Sequence, residues 1–359
     1  MKKLILSFVL LILPIKVSAI TASSAIVMDL NSNRVFFEQN IHEQRLIASI
    51  TKIMTAIVAI EYGNLDDVYE VSEEVLDAYG SAIYIEMGEK LTLRDLLYGL
   101  MLRSGNDAAV VIAKNIAGSM EAFAMLMNET ASKIGMTNSY FYNAHGLEES
   151  DGTANLSTAY DMALLTKYAM ENETFREIFA TKNYSVKTNK KSYSWTNKNR
   201  LLHEYDFITG GKTGFTKKAR RTLVTTASSN NIDLVIVTLN DPNDFEDHLT
   251  LYTEIFKKYE AIKVLDKKNF KIKEDTEYKN DTLYIKDDVY IPVLKEEKNS
   301  ISIKYELFKN NNYMNGDVVG SAKIYIKEEL VKEVNIYVEK NKELENLSWW
   351  DKLLRWLGW

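Results

Sequence analysis

The sequence predicts a mixed α/β (α+β) architecture: an antiparallel sheet with a helical subdomain, then a small all-β domain and a closing amphipathic helix. Three observations carry this. Apolar residues recur at helical spacing through much of 49–170, apolar runs at 222–227 and 232–239 read as strands, and beyond 262 the chain turns to short alternating runs rich in Lys, Asn, Asp, Val, Ile and Tyr. The chain has 359 residues, 46% apolar and 26% charged. That length exceeds one typical domain, and that composition supports a substantial core.

Taken in order, residues 1–19 read as a signal peptide. Met1-Lys2-Lys3 is basic, 4–15 is apolar and Val17-Ser18-Ala19 is a small-residue cleavage pattern. So short an apolar run does not span a bilayer, so the mature chain is expected outside the cytoplasm. Runs at 24–29 and 31–37 around a polar turn predict an opening hairpin. Residues 49–62 predict a largely buried helix stopped by Gly63. Further helices are predicted over 93–102 behind Thr92, 108–117 before Gly118, 121–134 before Gly135, and 159–170 behind Ser157-Thr158. The two strands at 222–239 meet at Ser228-Ser229-Asn230-Asn231, which predicts a hairpin turn, and a helix over 244–259 closes the unit. The predicted domains are therefore 20–262, a small β-sandwich-like unit over 263–343, and a helix over 344–359.

Composition excludes several function classes. A net charge of −6 argues against a nucleic-acid partner, because such proteins replace phosphate counterions with a basic surface. With no cysteine there is no disulfide, no thiolate catalysis and no cysteine metal site. The four histidines, at 42, 145, 203 and 248, lack zinc-site spacing. No metal and no cofactor is expected.

The chemistry lies in three short motifs. Ser49-Ile50-Thr51-Lys52 places a hydroxyl and an amine at i and i+3 on a helix, within reach of each other. Serine is a poor nucleophile until a base takes its proton, and an amine serves once burial and a nearby cation lower its pKa. Gly210-Gly211-Lys212-Thr213-Gly214 supplies that cation on a strand whose glycines let a substrate backbone approach, and Lys212 with Thr213 can hold a terminal carboxylate. Ser104-Gly105-Asn106 lies in an interhelix turn. Its serine can relay a proton to a leaving group, and its asparagine can pair with a peptide bond.

With these motifs in this order, the chain resembles the low-molecular-mass penicillin-binding proteins, in particular the D-alanyl-D-alanine carboxypeptidases. Residues 48–56, Ser104-Gly105-Asn106-Asp107-Ala108-Ala109, Asn143-Ala144-His145-Gly146-Leu147 and Gly211-Lys212-Thr213-Gly214-Phe215-Thr216 look like family blocks. The resemblance spans roughly 22–345. It implies a β-lactamase/transpeptidase-like catalytic domain followed by the β domain. It also implies Ser49 as nucleophile, Lys52 as its base and Ser104 as the third catalytic residue. Asn106, Lys212, Thr213, Gly214 and Phe215 would bind substrate, with the backbone N–H groups of Ser49 and Phe215 receiving the oxyanion. The implied substrate is a peptidoglycan stem peptide ending in D-Ala-D-Ala, and β-lactams would acylate Ser49. In some relatives an arginine in the loop before the closing helix assists carboxylate binding. Residues 240–244 contain none; Arg220 and His248 are the candidate substitutes, and Arg220 also stands where many relatives have glycine.

A class A-like β-lactamase shares these motifs but needs a deacylating glutamate, and no convincing Glu-x-x-x-Asn loop lies between Ser104 and Lys212. A non-catalytic peptidoglycan-binding protein would show a broken motif. His145 is expected to be structural, Asp107 to cap the helix after it, and Tyr140, Phe141 and Tyr142 to be packed. At the C-terminus Leu347, Trp350, Leu353, Leu354 and Leu357 share one helical face opposite Ser348, Asp351, Lys352 and Arg355. That pattern predicts an in-plane anchor on the outer face of the cytoplasmic membrane.

Overall fold

The structure is a computed structural model that describes residues 20–272, 278–309 and 312–341. The expected leader and terminal helix lie outside these residues. The first unit is built on a five-stranded antiparallel sheet of β1 (Ser24–Asp29), β2 (Val35–Gln39), β3 (Ile208–Thr216), β4 (Arg220–Ser229) and β5 (Ile232–Leu239), in the order β2-β1-β5-β4-β3. Helices cover both faces, which is why the central strands read as continuous apolar runs. Ile26, Met28, Val224, Val235 and Val237 pack into the helical subdomain, while Val27, Leu234 and Ile236 join the other layer.

The helices are α1 (Lys52–Tyr62), α2 (Leu93–Arg103), α3 (Asn106–Ala117), α4 (Met120–Lys133), α5 (Ala159–Met170), α6 (Glu173–Ala180), α7 (Arg200–Glu204) and α8 (Asp244–Lys258). Their ends follow local chemistry. Thr92 and Asp95 form a reciprocal capping box on α2, Thr158 caps α5 through the Asp161 amide, and Gly118 ends α3 in the left-handed conformation. α6, α7 and a hairpin of Asn183–Lys187 with Ser192–Thr196 occupy a stretch for which the sequence reading assigned no element. α8 lays Leu251, Tyr252 and Ile255 on the sheet face opposite the helical subdomain.

After α8, β6 (Glu260–Leu265) opens the second unit and pairs with β8 (Val289–Val293). The strands β7 (Thr282–Tyr284), β9 (Ile301–Leu307), β10 (Val318–Ile326) and β11 (Glu329–Glu339) form an antiparallel sheet in the order β7-β11-β10-β9. A separate apolar core including Leu265, Val289, Ile291, Ile324, Ile336 and Val338 holds it together.

Candidate active site

Ser49 lies in a turn of 3₁₀ helix (Ala48–Thr51) that runs directly into α1, so its hydroxyl and the amine of Lys52 sit on consecutive turns of one rigid element. Ala48 adopts a positive φ of 48°, and Gly146 packs against its carbonyl so closely that a Cβ there would lie 2.1 Å from the oxygen. Across the cleft, a Cβ on Gly214 would fall 2.4 Å from Thr222 Oγ1 and 3.0 Å from the Ser49 nitrogen. Only glycine lets β3 lie against the amides of Ser49 and Ile50. Among the described residues β3 pairs only with β4, leaving its outer edge open for an extended peptide.

Lys52 is fully buried. Its Nζ donates to Ser49 Oγ at 3.2 Å, Asn106 Oδ1 at 2.7 Å and the His145 carbonyl at 2.6 Å. Burial, reinforced by the Lys198 cation and opposed by Asp107, lowers its pKa from 10.5 to about 7. Three acceptors satisfy the ammonium form. Loss of one proton leaves a lone pair facing the Ser49 hydroxyl, which is the arrangement a general base requires.

Ser104 ends α2 in the left-handed region, with φ 63°, which turns its hydroxyl into the cleft, where Lys212 Nζ donates to its Oγ at 3.1 Å. Lys212 also donates to the Thr213 carbonyl at 2.6 Å. Burial, then Lys52 and Lys198, hold its amine well below the ordinary range. A bound carboxylate would oppose that depression and favour the ammonium. Asn106 spends Oδ1 on Lys52 and donates through Nδ2 to the Tyr79 carbonyl at 2.6 Å, so in this state it fixes the Lys52 amine.

Ser49, Ser104, Thr213, Gly214 and Phe215 line one cavity of about 320 Å³, together with Lys198, Arg221, Asp244 and Phe245. The structure therefore brings the three motifs together. The expected stand-ins for the arginine are elsewhere. Arg220 is exposed in the β3–β4 turn with φ 62°, and His248 is buried between Thr225 Oγ1 at 2.7 Å and Thr238 Oγ1 at 3.0 Å. Neither lines the cavity, whereas Arg221 and Lys198 do. Strand alternation could have pointed to Arg221 only once the register of β4 was known.

Other expectations divide. His145 is structural as read: its Nδ1 accepts the Leu147 amide at 3.1 Å, and burial with Lys52 repulsion lowers its pKa to about 3. Asp107 does accept the Ala108 amide at 2.9 Å, but its carboxylate also gathers the amides of Ile83, Tyr84 and Ile85 at 2.7–3.3 Å, so it clamps the preceding loop as well. Of the three aromatics only Phe141 is packed. Tyr140 and Tyr142 are 50% and 43% exposed, and Tyr142 lines a second cavity of about 710 Å³ that Asn106 and His145 border.

A cleft-lining serine beside a buried lysine, facing a Lys-Thr-Gly strand, defines the class, an active-serine fold of the penicillin-recognising type. The chain belongs to the D-alanyl-D-alanine carboxypeptidase family, whose model matches residues 14–243, and residues 259–343 match the C-terminal domain of penicillin-binding protein 5. It is 34% identical over 222 residues to D-alanyl-D-alanine carboxypeptidase DacF of Bacillus subtilis, an alignment covering 60% of this chain and 56% of the relative. It is 33% identical over 264 residues to DacC of Escherichia coli, covering 69% and 64%. These alignments thus span less than two thirds of either relative's length. Among solved structures, penicillin binding protein 5 from Haemophilus influenzae superposes with a TM-score of 0.71 at 25% identity, covering 91% of this chain and 99% of that one.

Proposed function

We propose that this protein is a serine-type D-alanyl-D-alanine carboxypeptidase acting on peptidoglycan stem peptides. The observation that carries the reading is the buried Lys52 amine, 3.2 Å from Ser49 Oγ with a pKa of about 7. At 10.5 only roughly one amine in three thousand would be neutral at pH 7, whereas at about 7 half are. Neutral Lys52 takes the Ser49 proton as Oγ attacks the carbonyl of the penultimate D-alanine. The amides of Ser49 and Phe215 receive the oxyanion. Ser104, hydrogen-bonded to Lys212, passes a proton to the departing amine. The peptide C–N bond breaks, free D-alanine leaves and an ester remains on Ser49. Water hydrolyses that ester, returning the serine and a shortened stem. A β-lactam would enter the same path and stall as the acyl-enzyme.

The leader at 1–19 and the amphipathic pattern at 344–359 support export and attachment to the outer face of the cytoplasmic membrane. The test of function is incubation with a pentapeptide ending in D-Ala-D-Ala, followed by mass analysis, beside Ser49→Ala. Release of one alanine by the wild type and none by the variant is expected. Undiminished release by Ser49→Ala would remove Ser49 as nucleophile. Stable labelling of Ser49 by fluorescent penicillin without hydrolysis would overturn the substrate assignment.

A further inference from the structure

At the start of α8 the cavity wall carries an acid, Asp244, and the cation facing it comes from the neighbouring strand. Arg221 on β4 lines the cavity that holds Ser49 and Thr213. Its Nη2 donates to Asp244 Oδ1 at 2.7 Å, and the Asp244 side chain, 3% exposed, also accepts the Phe245 amide at 2.8 Å. The guanidinium lies 5.5 Å from the centroid of the Phe245 ring. Its Nε is buried and has no hydrogen-bond partner among the described residues. One donor is therefore spent on holding the group in place, and the ion pair and the ring fix the plane of the rest.

Left alone, Asp244 would be a buried acid in the wall of a site that must admit an anion. Paired with Arg221 it becomes a support. Lys198 also lines this cavity and Lys212 donates to Ser104 in its wall, so the cavity is positive on balance. A guanidinium presents a planar fork to a carboxylate, whereas the two lysines are point charges.

We infer that Arg221, held by Asp244, is the guanidinium that receives the α-carboxylate of the leaving residue beside Thr213. The site thereby selects acyl donors whose leaving residue carries a free carboxylate. This rests on the carboxypeptidase reading and adds to it the residue that sets leaving-group specificity. Arg221 is a binding residue and Asp244 a positioning residue.

The test compares a peptide ending in D-Ala-D-Ala with its C-terminal amide, using the full chain. Wild type is expected to prefer the acid. Arg221→Ala should lower kcat/KM on the acid by about 10- to 100-fold, mostly through KM, and change it on the amide by less than about threefold. Arg221→Lys should recover part of the loss, and Asp244→Asn should lose about three- to tenfold on the acid alone. Equal losses on acid and amide, or an acid preference that survives in Arg221→Ala, would overturn the assignment. If wild type cleaves neither peptide, the carboxypeptidase reading falls and this inference falls with it. Thermal unfolding of each variant separates lost folding from lost recognition.

Discussion

The base of the proposed reaction is a lysine whose surroundings, more than its identity, make it a base. Burial is the largest cause of its lowered pKa and Lys198 the next. The sign of the resulting pH dependence follows directly: below about 7 the amine is protonated and cannot accept the Ser49 proton, and above it the lone pair is free. Acylation of Ser49 by a fluorescent penicillin should therefore rise about tenfold per pH unit below 7 and level off above it. Lys198→Gln removes a repelling cation, so Lys52 should hold its proton to higher pH and the limb should move upward. Stopped-flow acylation profiles of the two proteins read this, and a limb that moves downward contradicts the electrostatic account. The Ser49–Lys52 pair was legible because i and i+3 on a helix is a local relation. The lowering by burial was legible too, but the cation beside it was read as Lys212 and is Lys198, which no local pattern places near Lys52.

At the scale of elements, two hairpin turns on the same sheet contrast. The β4–β5 turn places Asn230 and Asn231 at φ 51° and 62°, and asparagine tolerates that region, so the turn was readable from its residues. The β3–β4 turn ends on Arg220 at φ 62°, paired with Thr216 across a three-residue loop. A left-handed conformation costs an ordinary residue about 1–2 kcal/mol, and glycine avoids it at the expense of chain entropy. Arg220→Gly should stabilise the protein by about 0.5–1 kcal/mol in denaturant unfolding and leave acylation near wild type. Destabilisation would show that the Arg220 side chain makes a compensating contact. The unassigned stretch has its own reason. Tyr184 and Trp195 alternate with polar residues on two short strands that are largely solvent-facing, and Tyr184 stacks on Tyr98 of α2 at 3.8 Å. The partner that stabilises the hairpin is far away in sequence.

For the whole molecule, one side chain ties the two domains. Arg34 donates to both carboxylate oxygens of Glu297 at 3.1 Å and to the Pro292 carbonyl, and it lies over the rings of Phe36 and Tyr259. The pair is largely buried, with side chains 15% and 9% exposed. Removing one partner of such a pair strands the other charge. Arg34→Ala should cost about 2–4 kcal/mol, toward the low end because Lys327 stands 3.9 Å from Glu297 and partly replaces the cation. Calorimetry should show the loss, with domain transitions that separate further than in wild type, while Ser49 acylation persists. Unchanged unfolding would mean that the second domain is held by its apolar contacts alone.

Local chemistry by itself determined the helix ends at Thr92, Thr158, Gly63 and Gly118, the β4–β5 turn, and the pairing of the Ser49 hydroxyl with the Lys52 amine, because each depends on neighbours within a few positions. Tertiary structure decided the rest. It brought residues 49, 104 and 212 into one cleft, lowered the pKa of Lys52 by burying it, and put Arg221 and Lys198 rather than Arg220 and His248 in the cavity wall. Those outcomes depend on strand register and on the summed burial and charge of groups distant along the chain, which no local pattern encodes.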